Sequence, residues 1–259
     1  MTLSNRRRKE IAKLSRRKYR EERGETLIES RRALASALDA GAPVVDLVAT
    51  EDALAEAEIQ ALVERAGVPV HTTDAETLRR LTDVETPQGL VAVVKRRYAD
   101  PADLPERIGE AGTVLLLDGV QDPGNVGTIL RTAAWFGADA VVAGPGTAGL
   151  FHPKVMRAAA GGQWDVACSR TDRLADTLDA FRRSGCSLYG ADLHGTRADT
   201  WQPRRPSALV LGSEAHGLSA AVLDRLDTPV AIPGAPDRRA AESLNVAVAA
   251  GILVYEWLG

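Results

Sequence analysis

The last part of the chain constrains the fold most. A short apolar strand signal, Val230 to Ile232, leads into a loop rich in proline, glycine and arginine, and Ser243 then precedes an apolar stretch from Asn245 to Trp257. This stretch holds one glycine and no proline and is apolar on nearly all sides, so it predicts a helix that is capped by Ser243 and buried on more than one face. The sequence thus predicts a polar loop that packs against a buried helix.

Length and composition predict a globular protein of two domains. The chain has 259 residues, of which 45% are hydrophobic and 26% charged, and this is enough apolar material for an ample core. Aromatic residues make up only 4%, which disfavours a surface built on base stacking. Two cysteines, Cys168 and Cys186, predict a reducing, cytoplasmic compartment. We expect neither a signal peptide nor a membrane span, which needs roughly 20 apolar residues.

Positive charge is concentrated in the first 23 residues. Ten Lys and Arg against three Glu give this segment a charge of +7. Since the whole chain has a net charge of −3, the remaining residues carry −10. This asymmetry predicts a basic N-terminal arm, residues 1–23, that binds a polyanion; a solvated, partly disordered terminus is the alternative. Six of its cations fall on one face at helical spacing and are the predicted binding residues: Arg6, Lys9, Lys13, Arg16, Arg17 and Arg20.

Short helices and strands alternate in residues 24–97 and predict a small α/β domain. The predicted elements are helices at Thr26–Ala40, Ala53–Arg65 and Ala75–Leu81 and strands at Val44–Ala49, Val68–His71 and Gln88–Val94. Residues 98–112 are charged and contain two prolines, so we interpret them as an interdomain linker.

Residues 113–259 predict a second α/β domain, a mostly parallel sheet flanked by helices. Its first strand, Val114–Asp118, is an apolar run typical of a strand buried on both faces. The other predicted elements are helices at Val126–Phe136, Lys154–Ala160, Arg173–Arg183 and Ser219–Leu226 and strands at Ala140–Ala143, Val166–Ser169, Ser187–Ala191 and Ala208–Leu211.

Two loops that follow predicted buried strands carry polar groups suited to a ligand. Asn125 and Arg131 follow the strand that ends at Asp118, and Glu214 follows the strand that ends at Leu211. Ligands of open α/β sheets bind at the carboxyl ends of strands, where these loops would lie. Arg131 can offer a planar fork of donors to a phosphate. The Asn-x-Gly-x-x-x-Arg pattern alone favours a structural role over a functional one.

Three other chemistries fit the sequence less well. Gly144–Gly149 matches G-x-G-x-x-G after a strand, but Phe151-His-Pro follows where a helix should begin, so a surface turn is favoured and a nicotinamide enzyme is a rival only. The Gly212-Ser213-Glu214 triplet lacks the spacing of a hydrolase nucleophile elbow. The four histidines and two cysteines show no metal-ligand spacing, so no metal is expected.

Three stretches, DGVQDPGNVGTILRTAAWFGAD, LVLGSEAHGLS and AIPG…ESLNVAVAAGILVYE, resemble in this order the motifs of the SpoU (TrmH-type) branch of the SPOUT RNA methyltransferases. RKYREERGETLIESRR and TPQGLVAVV resemble the ribosomal-protein-like substrate-binding domain joined to many members. The resemblance implies a homodimer with a SPOUT fold, a deep C-terminal trefoil knot and a smaller N-terminal α/β RNA-binding domain. Periodicity could not have predicted the knot, since true knots are nearly absent from proteins.

The implied activity is transfer of a methyl group from S-adenosylmethionine to a ribose 2′-hydroxyl, with 23S ribosomal RNA as the preferred substrate. A tRNA 2′-O-methyltransferase and a non-catalytic RNA-binding protein of the same fold are the alternatives. Position by position, the resemblance implies five catalytic residues, which are Asn125, Arg131, Glu214, Ser243 and Asn245. It also implies cofactor-binding residues, which are Gly212, Ile232 and Leu244 together with Leu211, Ser213 and Gly217.

The role of Arg131 follows from its chemistry. A guanidinium is effectively always charged, so we expect Arg131 to clamp the phosphate and the developing oxyanion rather than to act as a base. Glu214, water or the substrate's own phosphate would then take the proton. The sequence departs from the family at Gly234, where a Met is usual, and at Ser30, where many relatives have glycine; the loop Gly234 to Glu242 is also longer than usual.

Overall fold

The computed structural model describes residues 1–82, 84, 86–235, 240 and 242–259. Among these residues the strands are β1 (Glu25–Ile28), β2 (Val44–Thr50), β3 (Val70–Thr73), β4 (Leu90–Lys95), β5 (Thr113–Asp118), β6 (Ala140–Ala143), β7 (Ala167–Arg170), β8 (Ser187–Arg197), β9 (Ser207–Gly212) and β10 (Thr228–Ala231). The helices are α1 (Asn5–Ala12), α2 (Arg17–Arg23), α3 (Arg31–Asp39), α4 (Glu51–Leu54), α5 (Ala57–Ala66), α6 (Ala75–Leu81), α7 (Leu104–Ile108), α8 (Pro123–Trp135), α9 (Pro153–Ala159), α10 (Leu174–Arg183), α11 (Ala220–Leu223) and α12 (Val246–Leu258). Short 3₁₀ turns lie at Lys13–Ser15, Gly162–Trp164 and Ala198–Thr200.

The chain forms two compact units. Unit 1 comprises Met1–Arg97 and Phe151–Trp164, and unit 2 comprises Tyr98–Leu150 and Asp165–Gly259. No helix in the described ranges is long and apolar enough to cross a membrane.

Unit 1 contains a mixed four-stranded sheet in the order β1-β4-β2-β3. β4 pairs antiparallel with both β1 and β2, whereas β2 and β3 are parallel. The expected helix from Thr26 to Ala40 is wrong over its first residues, because Thr26–Ile28 pair with β4 as an edge strand. Ser30 then accepts a hydrogen bond from the Ala33 amide and caps α3, which gives a serine at this position a structural reason.

The basic N-terminal segment is a folded part of unit 1 rather than an arm. Ile11 and Leu14 are fully buried against β1 and α6. The helix breaks at the 3₁₀ turn Lys13–Ser15, so the six cations do not form one helical stripe. Arg20 is itself buried and donates to the carbonyl oxygens of Leu14 (2.8 Å) and Ser15 (2.6 Å). It therefore has a structural role in unit 1, and its role in RNA binding stays a prediction.

Residues 151–164 leave the sheet of unit 2 and fold into unit 1. The Thr26 hydroxyl donates to the Phe151 carbonyl over 2.7 Å in a buried contact. On α9, Arg157 forms an ion pair with Glu29, whose side chain is 1% exposed. No change in composition along the sequence indicates that residues 151–164 belong to unit 1.

The segment expected to be a linker, residues 98–112, is folded into unit 2. Leu104 on α7 is fully buried in the core of this unit. The Ala99 amide donates to the Cys168 carbonyl over 2.8 Å and so adds a bridge to the edge strand β7. Buried apolar contact therefore outweighs the polar composition of this stretch.

The sheet of unit 2 has six strands in the order β10-β8-β9-β5-β6-β7, and each of these strand pairs is parallel. All six residues of β9 and five of the six in β5 are buried, as expected for central strands covered on both faces. The predicted fold class, a parallel α/β domain with a smaller α/β domain before it, is confirmed. The carboxyl ends of β5 and β9 lie side by side at one edge, because Asp118 pairs with Gly212.

The C-terminal helix α12 packs against α8, β9 and the 3₁₀ turn Ala198–Thr200, and its buried residues lie on one side of the helix. Ala250, Leu253 and Val254 are buried, and the Trp257 indole donates to the Ser207 hydroxyl over 2.9 Å. Contrary to expectation, an opposite face is exposed in the single chain, and the helix is capped by Asn245 rather than by Ser243. The trefoil knot stays a prediction, because residues 236–239 and 241, in the long loop Gly234 to Glu242, lie outside the described residues.

Candidate active site

The candidate site lies in unit 2 at the carboxyl ends of β5 and β9. One carboxylate oxygen of Asp118, the last residue of β5, accepts a hydrogen bond of 2.7 Å from the Ser219 amide, which fixes the loop after β9 to the end of β5. That loop folds back on itself, because Ser213 and Gly217 exchange backbone hydrogen bonds of 3.0 and 2.9 Å. A Cβ at Gly212 would lie 2.2 Å from the Gly217 carbonyl carbon, so only glycine fits there.

Three of the predicted catalytic side chains meet at this edge. Asn125, in the first turn of α8, donates from Nδ2 to Oε1 of Glu214 over 2.7 Å. Asn245, at the start of α12, donates from its own Nδ2 to Oδ1 of Asn125 over 3.1 Å. The Gln121 amide also donates to Glu214 Oε2 over 3.4 Å. Residues from three distant parts of the sequence thus form one hydrogen-bonded chain.

Arg131 and Ser243 lie near this chain in sequence but do not contact it. Arg131 is exposed on α8, six residues after Asn125, and forms no hydrogen bond or ion pair with any residue that the structure describes. Ser243 is exposed two residues before Asn245. The positive charge of Arg131 is therefore available to a ligand, and the roles of both residues stay predictions.

The predicted cofactor residues divide into buried and exposed groups. Leu211 and Gly212 are buried at the end of β9, whereas Ser213 lies in the folded-back loop, where its hydroxyl accepts from the His216 amide over 3.1 Å. Ile232 is half-buried just after β10, and Leu244 leaves 50% of its surface exposed. Exposed apolar side chains and a close-packed glycine backbone suit an adenosine, which needs apolar cover and backbone partners. The described residues thus fit S-adenosylmethionine.

Two further residues, which are not among the predicted site residues, also shape the site. The Thr147 hydroxyl accepts from the Gly119 amide over 3.1 Å and donates to the Leu117 carbonyl over 2.9 Å. The G-x-G-x-x-G loop therefore supports the turn after β5, and nothing in its spacing indicates this role. Asp122 caps α8 by accepting from the Asn125 amide over 3.0 Å; an Asp before Pro123 at the first helical position is a signal that sequence reasoning could have used.

An exposed apolar patch lies on α8 and α12. It is formed by Trp135 with 83% of its surface exposed, Val248 with 52%, Ile252 with 37% and Tyr255 with 60%. We call these four residues the apolar face. Arg131 precedes Trp135 by one helical turn and so shares its side of α8. The apolar face and the candidate site are therefore adjacent along the same two helices.

Both cysteine thiols of unit 2 are buried. Burial raises the pKa of both Cys168 and Cys186 to about 12, with the Asp227 charge adding to the shift at Cys186. Within the described ranges no group of three or more His, Cys, Asp and Glu is placed to hold a metal ion.

The carboxyl edge of the parallel sheet thus joins two Asn and a Glu, with the exposed Arg131 on the adjoining helix, which is where enzymes of the open α/β class bind their ligands. The comparisons identify the class as an RNA methyltransferase. The chain belongs to the SpoU rRNA Methylase family, whose model matches residues 112–255. Residues 5–92 match the MRM3-like substrate binding domain. The predicted family, including the N-terminal substrate-binding domain, is confirmed.

Similar proteins cover nearly the whole chain. The 23S rRNA (guanosine(2553)-2′-O)-methyltransferase RlmP of Bacillus subtilis is 34% identical over 253 residues, which is 97% of this chain and 95% of that protein. A Porphyromonas gingivalis structure assigned to the TrmH family of RNA methyltransferases superposes with a TM-score of 0.86 and 35% sequence identity. The alignment covers 99% of this chain and 98% of that chain. The structure of the SpoU methyltransferase AviRb of Streptomyces viridochromogenes in complex with the cofactor AdoMet has a TM-score of 0.86 and 29% sequence identity, and the alignment covers 98% of this chain and 97% of that chain.

Proposed function

We propose that this chain transfers the methyl group of S-adenosylmethionine to a ribose 2′-hydroxyl of 23S ribosomal RNA. The observation that carries the proposal is the hydrogen-bonded chain from Asn245 through Asn125 to Glu214 at the carboxyl edge of the sheet. The Bacillus relative, which methylates a guanosine of 23S rRNA by its name and aligns over almost the whole length, supports ribosomal RNA rather than tRNA.

The chemistry requires a hydroxyl and a methyl donor held in line. Bound S-adenosylmethionine supplies a methyl carbon on a sulfonium; the ribose oxygen forms the new C–O bond, the C–S bond breaks with its electron pair on sulfur, and the hydroxyl proton leaves. The enzyme's part is to orient the two reactants at close distance. We assign cofactor binding to Leu211, Gly212, Ile232 and Leu244, with Ser213 and Gly217 shaping the loop.

Glu214 is the proposed proton acceptor, because a carboxylate has about four lone-pair positions and the described residues donate hydrogen bonds to two of them. Arg131 is the proposed clamp for the substrate phosphate and the oxyanion that develops on the ribose. Ser243, exposed beside Asn245, is assigned to the substrate side of the loop. Water and the substrate phosphate are the other proton acceptors that the chemistry allows.

The active form is proposed to be a homodimer that buries the apolar face. Exposed clusters of large apolar side chains mark interaction surfaces, and aromatic residues are enriched in such surfaces. Four such residues on two packed helices supply an apolar surface that a second copy can cover. Since Arg131 lies one turn from Trp135, dimerisation would bring a partner subunit close to the site.

RNA binding is assigned to unit 1, with exposed cations of its N-terminal helices as the contacts. Lys9, Lys13 and Arg16 are exposed, whereas Arg17 is exposed but also pairs with Glu21, and Arg6 with Glu10. Exposed cations bind phosphates with strong salt dependence. A cytoplasmic location accords with this substrate and with two buried cysteines that keep their thiols, and it stays a prediction.

Methyl transfer itself tests the proposal. The purified protein is incubated with S-adenosylmethionine labelled in the methyl group and, in parallel, with 23S rRNA and with total tRNA, and the labelled nucleotide is mapped. We expect label in 23S rRNA at one ribose. Label confined to tRNA would show that tRNA is the substrate instead of 23S rRNA. Binding of cofactor and RNA without transfer to either RNA would support the non-catalytic alternative.

A further inference from the structure

The orientation of the Asn245 side chain is fixed by the helix that it caps. Its Oδ1 accepts hydrogen bonds from the backbone amides of Ala247 (2.9 Å) and Val248 (3.3 Å). These are donors at the N-terminus of α12, which have no carbonyl partner within the helix. A carboxamide has one oxygen and one NH₂ group, so its Nδ2 faces away from the helix and can only donate.

The orientation of Asn125 follows from that of Asn245. Because Asn245 presents a donor, the group of Asn125 that faces it at 3.1 Å must be the acceptor Oδ1. The other end of the Asn125 amide is then Nδ2, and it faces Glu214 Oε1 at 2.7 Å. A flipped amide would place two donors against each other on one side and two acceptors on the other.

We infer that Asn245 is a positioning residue that sets the direction of a hydrogen-bond relay from the α12 cap to Glu214. Every link runs the same way, from the backbone cap through two carboxamides to the carboxylate. The relay holds Glu214 as an acceptor in one orientation and leaves lone pairs free for a substrate hydroxyl. This inference rests on the proposed function, in which Glu214 takes the ribose proton.

A simple capping role for Asn245 makes a different prediction from the relay. Asp caps helices as well as Asn, so a pure cap tolerates N245D. In the relay, N245D keeps the cap but places a carboxylate oxygen, which can only accept a hydrogen bond, opposite Oδ1 of Asn125. Either these two acceptors repel, or the Asn125 amide flips and turns its oxygen toward Glu214. We expect N245D to lower kcat at least tenfold while the KM for RNA changes little, since RNA binding is assigned to unit 1.

A reversal of the relay provides the decisive test. In N245D/E214Q, the carboxamide introduced at position 214 can donate to Asn125 Oδ1, and Asn125 can donate to the carboxylate introduced at position 245, so every link is restored in the opposite direction. We expect the thermal midpoint of N245D/E214Q to exceed the additive expectation from the two single variants. The same cycle in an N125A background removes the middle link, and there the two substitutions should be additive.

The two possible failures are distinguishable. Additive effects of N245D and E214Q in the wild-type background would overturn the relay, as would equal coupling with and without Asn125, which would indicate charge repulsion through space. Neither result depends on catalysis, because the cycle is measured by thermal denaturation of the full chain. Absence of methyl transfer by the unmodified protein would instead count against the proposed function.

Discussion

The Asn245 carboxamide donates a hydrogen bond to the Asn125 carboxamide over 3.1 Å, although 120 positions separate the two residues in the sequence. This bond connects the start of the C-terminal helix to the first turn of α8. Helix capping positions both residues, since Asn245 caps α12 and Asp122 caps α8, in whose first turn Asn125 lies. Local helix-end chemistry thus positions the long-range contact on which the proposed site depends.

Arg131 is the residue whose replacement should separate catalysis from folding most cleanly. Its side chain is exposed and unpaired with the described residues, so R131A should leave the thermal midpoint near that of the wild type. Loss of an oxyanion and phosphate donor should lower the rate of methyl transfer about 100-fold or more. R131K should recover little of the rate, because an ammonium cannot reproduce the planar fork.

The matched control for Arg131 is Arg183, an exposed arginine of α10. R183A should retain the wild-type rate in the same single-turnover assay with labelled cofactor. Near-normal turnover of R131K with unchanged RNA affinity would contradict the clamp role.

The apolar face should control the oligomeric state. I252D places a charge in the middle of this surface without disturbing the buried side of α12, so we expect it to produce a folded monomer with little activity. Sedimentation velocity measures the mass, and far-UV circular dichroism checks the fold. L193D is the matched control, because Leu193 is also an exposed aliphatic residue of unit 2, at 61%, but lies on β8. A wild-type protein that is monomeric at micromolar concentration would refute the dimer.

How much of the molecule can be predicted from sequence differs between its two units. In unit 2, apolar runs such as Val114–Asp118 are long enough to specify buried parallel strands, and the loops after them contain the polar residues of the site. In unit 1, the local pattern of Thr26–Ile28 fits a helix as well as a strand, and the helix prediction there is wrong. Pairing with β4, which begins 62 residues after Ile28, decides in favour of the strand, and no local pattern contains that partner.

The candidate site, too, can be predicted only in part from the sequence. Asn125 and Glu214 can be singled out because each follows a strand, and Ser243 and Asn245 because they precede a helix. Their mutual contacts cannot be predicted, since they depend on how the loops cross the sheet edge. The support from Thr147 and the burial of Arg20 escape sequence reasoning for the same reason: both depend on backbone carbonyls placed by the tertiary fold.

RNA affinity should depend on exposed cations of unit 1. K9Q/K13Q removes two charges one helical turn apart, and the slope of log affinity against log salt should fall by roughly 0.7 to 0.9 for each phosphate that is no longer neutralised. Filter binding at several salt concentrations measures the slope. R173Q/R183Q, which removes two cations near α10 in unit 2, should leave it unchanged. An unaltered slope in K9Q/K13Q would exclude these lysines as RNA-binding residues.

The ion pair between Glu29 and Arg157 should stabilise unit 1. The Glu29 side chain is 1% exposed and that of Arg157 is 26% exposed, so E29Q leaves a largely buried guanidinium without its counter-charge. We expect a loss of about 3 kcal/mol in the free energy of unfolding of unit 1. Hydrogen exchange of the β1 amides measures it locally. E22Q removes a carboxylate from a well-exposed pair with Lys18 and should have almost no effect.

The two buried thiols should make the protein less stable at high pH. Burial raises the pKa of Cys168 and Cys186 from an ordinary value of 9.0 to about 12, so above pH 9 the unfolded chain releases protons that the native chain retains. Stability from this source is complete below pH 9 and falls as the pH rises from 9 toward 12. Denaturant titrations at pH 8 and pH 10 should show the decline, and C168A/C186A should reduce it. Rapid labelling of both thiols by a disulfide reagent at pH 8 without denaturant would contradict their burial.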